Sequence, residues 1–112
     1  MKLFISQPMR GLTDEEILAV RQKAKAAVEK LLGVEVEVLE SFFQGAPTSA
    51  TPLWYLGESI KLLGQADLVY FAEGWENNRG CRIEHLCAVE YGKSWMPESE
   101  PPMTVKAEEV AV

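Results

Sequence analysis

The chain has 112 residues, of which 47% are hydrophobic, and its formal net charge is −6. A length of this order predicts one domain with a core of its own. The excess of acidic residues argues against binding to nucleic acid polymers or anionic membrane surfaces, because both need clustered cations. The sequence also shows no apolar run near the roughly 20 residues of a membrane span, and the run after Lys2 is too short for a signal-peptide core.

The two cysteines, Cys81 and Cys87, fit neither a disulfide framework nor a zinc site in their spacing. We therefore expect reduced thiols, a cytoplasmic protein and no bound metal. Neither a GxGxxG nor a GxxxxGK[ST] motif is present, and these are the main sequence signals of dinucleotide folds and P-loops. No cofactor is predicted.

The predicted elements alternate between strands and helices along the chain. An apolar stretch over residues 2–6 predicts a buried strand. Thr13 and Glu16 form a capping-box pattern at the start of a helix that Gly33 closes. Alternating apolar and acidic residues over 34–41 predict an exposed or half-buried second strand.

The second half of the sequence continues this alternation and ends in a tail. The predicted elements are a helix, a strand, a helix and a short last strand, over residues 53–66, 67–73, 81–92 and 93–97. The order β-α-β-α-β-α-β predicts an α/β fold in which a parallel sheet carries helices on both faces. We expect one domain over 1–97, followed by a polar, proline-rich tail over 98–112.

Polar loops follow the predicted strands, with the sequences SQPMRG, SFFQGAP and GWENNRG. The carboxyl ends of parallel strands meet at one edge of the sheet, and ligands of such folds bind there. Glu84 lies just past the third loop, near a predicted helix start, where the helix dipole favours an ionised carboxylate. An ionised, positioned carboxylate suits attack on an anomeric carbon. An acid there can also serve only to stabilise the helix, and spacing alone favours that plainer interpretation.

Cations and aromatic side chains at the same edge are further candidates for ligand binding. Arg10, Arg79 and Arg82 could pair with a phosphate or with Glu84, although arginines beside acids more often form ordinary surface ion pairs. His85, next to Glu84, points about 100° away around the helix and is expected to be a packing or surface residue rather than a base. Four aromatic residues could stack on a flat ring or belong to the core: Phe42, Phe43, Trp54 and Trp75.

Two stretches carry a family resemblance, KLFISQPMRGL and GQADLVYFAEGWENNRGCRIEHLCAVEYGK. They resemble the nucleoside 2-deoxyribosyltransferase-like family, and in particular a small bacterial and phage branch with ISGPM and GWENSRGARxE motifs. The resemblance runs across residues 1–95 or so. It implies a flavodoxin-like three-layer sandwich with a four- or five-stranded parallel sheet, and assembly as a homodimer or larger homo-oligomer.

The resemblance implies an enzyme that cleaves the N-glycosidic bond of a 2′-deoxynucleoside or its 5′-monophosphate. In such enzymes a glutamate attacks C1′, the base leaves, and water or a second base resolves the glycosyl-enzyme; Glu84 matches that glutamate by position. The first loop matches the segment that binds the 5′-phosphate, through Ser6, Gln7, Met9, Arg10 and Gly11. The other implied substrate-binding positions are Ser59, Trp75, Asn78, Arg79 and Gly80.

Three positions depart from the family pattern. Ser59 stands where the family has an aspartate on its second helix, and Glu58 beside it is the candidate general acid, although one residue turns it about 100° away. Phe4 stands where a tyrosine hydrogen-bonds the nucleophile, and Asn78 where some transferases have a base-contacting aspartate. Ser59 and Phe4 favour a second hypothesis, a nucleotide-binding or sensing module that does not catalyse the reaction.

A third hypothesis is a purely structural domain that self-associates and binds no nucleotide. Self-association is expected under every hypothesis. The apolar residues of LWYLGESIKLLG exceed what one buried face needs, so this helix is the predicted interface between copies.

Overall fold

The computed structural model describes residues 1–98. In this range the chain forms, in order, β1 (Lys2–Ser6), α1 (Asp14–Leu32), β2 (Glu37–Val38), α2 (Pro52–Leu63), β3 (Leu68–Phe71), a 3-10 helix (Trp75–Asn77), α3 (Arg79–Glu90) and β4 (Trp95–Pro97). The predicted order of strands and helices is confirmed. No helix within this range has the length and apolar character needed to cross a membrane.

The four strands form one parallel sheet in the order β2-β1-β3-β4. The chain passes from β1 to β2 in one direction and then returns across β1 to β3 and β4. Crossovers between parallel strands are right-handed, so this reversal places α1 on one face of the sheet and α2 with α3 on the other. The fold is a flavodoxin-like α/β sandwich of three layers, as predicted.

Alternation along β1 sends successive side chains to opposite faces of the sheet. Leu3 and Ile5 pack in the core formed with α1. Phe4 packs in the second core, which α2 and α3 cover, and is 1% exposed. Ser6 has the parity of Phe4, so its side chain points to the layer of α2 and α3.

The termini of α1 and α3 follow from local side-chain chemistry. The side chain of Thr13 accepts a hydrogen bond from the backbone N–H of Glu16 while the Glu16 carboxylate bonds back, and Gly33 closes α1 with φ of 66°. Asn78 caps α3 through its side chain. Helix α3 therefore starts two residues before the predicted range.

The predicted second strand, residues 34–41, is wrong in its extent because only Glu37–Val38 is in strand conformation. This segment lies at an edge of the sheet and pairs with β1 alone. An edge strand has one neighbour to hold it, so its regular ladder ends early. Val36 and Leu39, on either side of it, are nevertheless buried.

A buried arginine connects α1 to the segments that follow β1 and β2. Arg21 is 7% exposed. Its guanidinium donates to Oε1 of Gln7 (3.0 Å), to the backbone oxygen of Leu39 (2.9 Å) and to Oγ of Ser41 (3.0 Å). Burial lowers the pKa of Arg21, whereas the charge of Glu40 raises it. These hydrogen bonds offset the loss of hydration of the cation.

We expect Arg21→Met to lower the free energy of unfolding by about 3 kcal/mol, because it leaves three buried acceptors without their donor. Urea denaturation followed by circular dichroism measures this loss. Arg10→Met is the matched control, since Arg10 is exposed and surface substitutions change stability by no more than about 0.5 kcal/mol. Equal losses in the two variants would contradict a structural role for the buried guanidinium.

Candidate functional site

The candidate site lies at the carboxyl edge of the sheet, where the strand order reverses between β1 and β3. Ser6 ends β1 and is paired in register with Phe71, which ends β3. From α3, the carboxylate of Glu84 reaches this point. Oγ of Ser6 donates a hydrogen bond to Oε1 of Glu84 at 2.6 Å, and both side chains are buried. Doubly wound sheets bind their ligands at this reversal of strand order.

Burial controls the charge of Glu84. The residue is 8% exposed, and loss of hydration raises the pKa of its carboxyl to about 6, although hydrogen bonds from Ser6 and Ser59 act in the opposite direction. Above pH 6 the group is mostly an ionised carboxylate, which the hydroxyl of Ser6 orients. Below that pH it is mostly protonated.

Glu84 is mostly ionised at neutral pH, as expected, but the start of α3 does not account for its charge state. Glu84 lies five residues after Arg79, where the helix begins. The free N–H groups of a helix occupy its first turn, so they have ended before this position. Desolvation has the largest effect on this carboxyl, and its pKa is raised rather than lowered.

Helix α2 brings Ser59, and not its neighbour Glu58, to the carboxylate of Glu84. Ser59 is buried, and its hydroxyl is near enough to Glu84 to lower the pKa of that carboxyl. The carboxylate of Glu58 instead accepts a hydrogen bond from Nζ of Lys61 at 2.8 Å on the outer side of α2. The predicted acid thus forms a surface ion pair on α2.

Cys81, in the first turn of α3, lies beside the hydroxyl of Ser6. It is 2% exposed, and burial raises the pKa of its thiol to about 11, with the charge of Glu84 adding to that rise and a hydrogen bond with Ser6 opposing it. The thiol is therefore protonated at neutral pH and is not a nucleophile. Ser6 sits between a neutral thiol and the carboxylate.

The match to known families covers nearly all of this architecture. Residues 1–96 match the family described as Domain of unknown function (DUF4406). The chain belongs to the DUF4406 family. No curated protein matches the chain. The matched range holds Ser6, Ser59 and Glu84, so the whole hydrogen-bonded cluster belongs to the DUF4406 domain.

The first loop of the DUF4406 domain, residues 7–12, divides into a buried and an exposed part. The side chain of Gln7 turns inward, where it accepts from Arg21 and donates to the backbone oxygen of Ile17 at 3.3 Å. Arg10 and Gly11 form an exposed turn, in which Gly11 has φ of 81°. The guanidinium of Arg10 thus faces solvent, whereas the Gln7 side chain already has protein partners.

The GWENNRG loop of the DUF4406 domain comes close to the first loop, as the topology predicted. A Cβ placed on Gly74, whose φ is 88°, would lie 3.6 Å from Cγ of Pro8. Asn78, further along, accepts a hydrogen bond from the backbone N–H of Cys81 at 3.0 Å. A Cβ on Gly80 would lie 3.4 Å from Oδ1 of Asn78. Two of the predicted site loops therefore meet at the carboxyl edge of the sheet, which the carboxylate of Glu84 also reaches.

The aromatic residues of this region are mainly structural. Trp75 is 8% exposed, and its ring centroid lies 5.1 Å from that of Phe71. The ring of His85 packs between Trp75, tilted at 36° with a centroid 4.5 Å away, and Trp95, edge to face with a centroid 4.4 Å away. Of the two roles expected for His85, packing is the one that the structure shows, and Trp75 is a core residue of the DUF4406 domain. Arg79, by contrast, is exposed at the start of α3.

The buried polar cluster of Ser6, Ser59 and Glu84 does not have the composition of a metal site. Within residues 1–98, no group of three or more His, Cys, Asp or Glu side chains is arranged to hold a metal ion. The chemistry available at this point of the chain comes from one carboxylate and two hydroxyls. That donor set can bind, orient and attack an electrophilic carbon.

Proposed function

We propose that this DUF4406 domain binds a 2′-deoxynucleoside or its 5′-monophosphate and cleaves or transfers its N-glycosidic bond, with Glu84 as the nucleophile. The observation that carries the proposal is the buried Glu84 carboxylate, held by Ser6 at 2.6 Å at the carboxyl edge of the sheet. The resemblance of KLFISQPMRGL and GWENNRGCRIEH to nucleoside 2-deoxyribosyltransferase-like proteins supports the same reaction.

The proposed reaction starts with attack of a Glu84 oxygen on C1′. The C1′–N bond breaks, its electron pair leaves with the base, and the base takes up a proton. The resulting ester between Glu84 and the sugar is then attacked at C1′ by water or by a second base, which restores the carboxylate. Because Ser6 holds Oε1, it fixes the direction in which the other oxygen can approach the sugar.

Ser6 supplies the orienting hydrogen bond that Phe4 cannot make. Both residues lie on the same face of β1, two positions apart, but Phe4 is enclosed in the apolar core. The hydroxyl of Ser6 is closer to the carboxyl end of the strand and reaches Glu84 directly. Ser6 thus takes the role of the tyrosine that nucleoside 2-deoxyribosyltransferase-like proteins have at the position of Phe4.

The exposed turn of the first loop suits a 5′-phosphate. Arg10 offers a guanidinium with no ion-pair partner in residues 1–98, and a guanidinium can bind phosphate oxygens through two parallel hydrogen bonds. Backbone N–H groups of a turn that contains a residue with positive φ, as at Gly11, can add to such an anion site.

Release of free base tests the proposal. The protein is incubated with the common deoxynucleosides and their 5′-monophosphates, with and without a second base as acceptor, and products are separated by liquid chromatography. We expect free base or an exchanged nucleoside from at least one of them. Absence of any product with every compound would refute the reaction.

A nucleotide-binding module without catalysis is the second candidate. The observation in its favour is that α2 brings Ser59 to Glu84, whereas Glu58 pairs with Lys61, so α2 supplies no carboxylic acid there to protonate a leaving base. Titration calorimetry distinguishes the two functions. Binding of a deoxynucleotide with no base release on prolonged incubation would favour the binding module.

We expect the rate of base release to fall about tenfold per pH unit below pH 6, because only ionised Glu84 can attack and its pKa is about 6. Protonation of Glu84 does not itself unfold the protein. A carboxyl whose pKa is raised in the folded state stabilises that state as the pH decreases. Initial rates and circular dichroism over the same pH range test both statements. A rate that stays constant to pH 4.5 would contradict the role of Glu84.

A further inference from the structure

Helix α3 exposes apolar side chains on the side away from the sheet. Leu86 is 58% and Val89 42% exposed. Both line an open groove of about 400 Å³ between α3 and the 3-10 helix, together with Trp75, Glu76, Arg82 and His85. Helix α3 crosses over to β4, an edge strand, and no helix in residues 1–98 follows α3. This outer face is therefore an apolar surface that the described part of the chain leaves open.

The charges on this face oppose the dipole of their own helix. Arg82 lies near the N-terminus of α3, and Glu90 is its last residue. Cations near a helix N-terminus and anions near its C-terminus are unfavourable, by about 0.3–1 kcal/mol each at the surface. Neither charge therefore stabilises α3 itself, and the stability of the helix does not explain why a charged residue stands at either position.

Neither charge has a partner within residues 1–98. No ion pair of Arg82 or Glu90 is found there, and the two are eight residues apart, about 12 Å along the helix axis. Lys93, three residues after Glu90, donates instead to the backbone oxygens of Gly64 and Ala66. The side chains of Arg82 and Glu90 are both exposed and are available to another molecule.

We propose that α3 is the interface of a homodimer, in which it packs antiparallel against α3 of a second copy. Arg82, Leu86 and Glu90 are spaced by four residues and lie within about 80° of arc on one face of the helix. Antiparallel pairing centred on Leu86 places Arg82 opposite Glu90 of the partner and Glu90 opposite Arg82 of the partner. A two-fold interface requires this self-complementarity.

A second copy of the chain fits this face because the charges are self-complementary. With Leu86 at the centre, Arg82 of each copy meets Glu90 of the other. Two ion pairs form at once, the apolar centre is covered, and the two helix dipoles run in opposite directions. Helix α2, the interface predicted from sequence, lacks this property: its acid Glu58 already pairs with Lys61 of the same helix at 2.8 Å. Its most exposed apolar residue, Leu53, is 77% exposed and serves as the comparison site.

Charge reversal tests the interface on the full chain. The mass in solution is measured by light scattering and sedimentation velocity across a concentration series for the natural chain, Arg82→Glu, Glu90→Arg and the double variant. We expect a dimer in the natural chain. Each single reversal places like charges opposite each other twice and should weaken the dimer roughly tenfold or more. The double variant should restore it.

The single variants are not expected to destabilise α3. Each reversal puts a charge at the end of the helix where the dipole favours it, so circular dichroism and thermal unfolding of the monomer should show an equal or higher stability. Leu53→Glu on α2 is the matched control and should leave the dimer intact, whereas Leu86→Glu should dissociate it.

Three outcomes would overturn the proposal. The first is a natural chain that is monomeric at every concentration, which would leave this face to another protein or to residues 99–112. The second is a dimer that Arg82→Glu does not weaken or that the double variant does not restore. The third is a dimer that Leu53→Glu dissociates and Leu86→Glu does not, which would place the interface on α2.

Discussion

Replacing Glu84 by glutamine is expected to abolish base release and to make the protein more stable above pH 6. The amide keeps the size of the side chain and can still accept the hydrogen bond of Ser6, but it cannot form a glycosyl ester. Loss of a nucleophile in covalent catalysis lowers the rate by at least roughly 10³-fold. The same change removes a buried charge.

The expected gain in stability follows from the pKa of Glu84. Its pKa is about 6 in the folded protein against 4.5 as the ordinary value, and a difference of this size corresponds to about 2 kcal/mol. Since the folded state binds the proton more tightly, the ionised carboxylate destabilises the fold above pH 6, and the penalty vanishes as the pH falls through 6 towards 4.5. Glu84→Gln should therefore gain up to about 2 kcal/mol at pH 8 and almost nothing at pH 4.

Denaturant unfolding of both proteins at pH 8 and pH 4, beside the assay for free base, measures the two effects together. Glu35→Gln is the control, because it also removes one carboxylate but from an exposed position, and its stability should stay within about 0.5 kcal/mol of the natural chain. A Glu84→Gln protein that still releases base, or one that is less stable at pH 8, would contradict the account of the site.

Much of the fold could be predicted because its signals are local. The capping box of Thr13 and Glu16 and the glycine after α1 are short patterns with one structural solution, and the structure has both. The alternation of apolar strands and helical periods likewise fixed the order of elements. The length of β2 could not be predicted in this way, since it depends on how many neighbours the segment has in the sheet.

The burial of Arg21 was not predicted, although the sequence indicates it. It stands four residues after Ile17 and three before Ala24, both buried, so the helical period alone places it on the core-facing side of α1. A cation at a core-facing position has to find buried acceptors. The acceptors, in the loops after β1 and β2, are distant in sequence and only the fold brings them together.

The site itself could be predicted in part. The topology brought the first loop and the GWENNRG loop together, and the parity of β1 directs Ser6 towards α3. The charge state of Glu84 could not be predicted from local sequence. It depends on the position of Glu84 beyond the first turn of α3 and on its burial by α2. Ser59 could be placed from the family resemblance, but its contact with Glu84 is a product of the packing of α2 against α3.

Ser59→Asp is expected to accelerate base release by roughly 10²-fold, the lower end of what a positioned general acid contributes. The aspartate would stand where the enzymes that the sequence resembles carry an acid, beside the carboxylate of Glu84. Two carboxyl groups in one buried site cannot both ionise easily, so one pKa rises strongly. The protonated member can then give its proton to the leaving base while the other attacks C1′.

This gain has a signature that a change in binding alone would lack. With the natural serine, the rate should rise through pH 6 and then level off; with aspartate, it should fall again at higher pH as the acid loses its proton, giving a bell-shaped profile. Ser59→Asn, which has nearly the same shape as aspartate and no titratable proton, should give neither the acceleration nor the alkaline limb. If Ser59→Asp and Ser59→Asn behave alike, residue 59 does not face the leaving base, even if Glu84 remains the nucleophile.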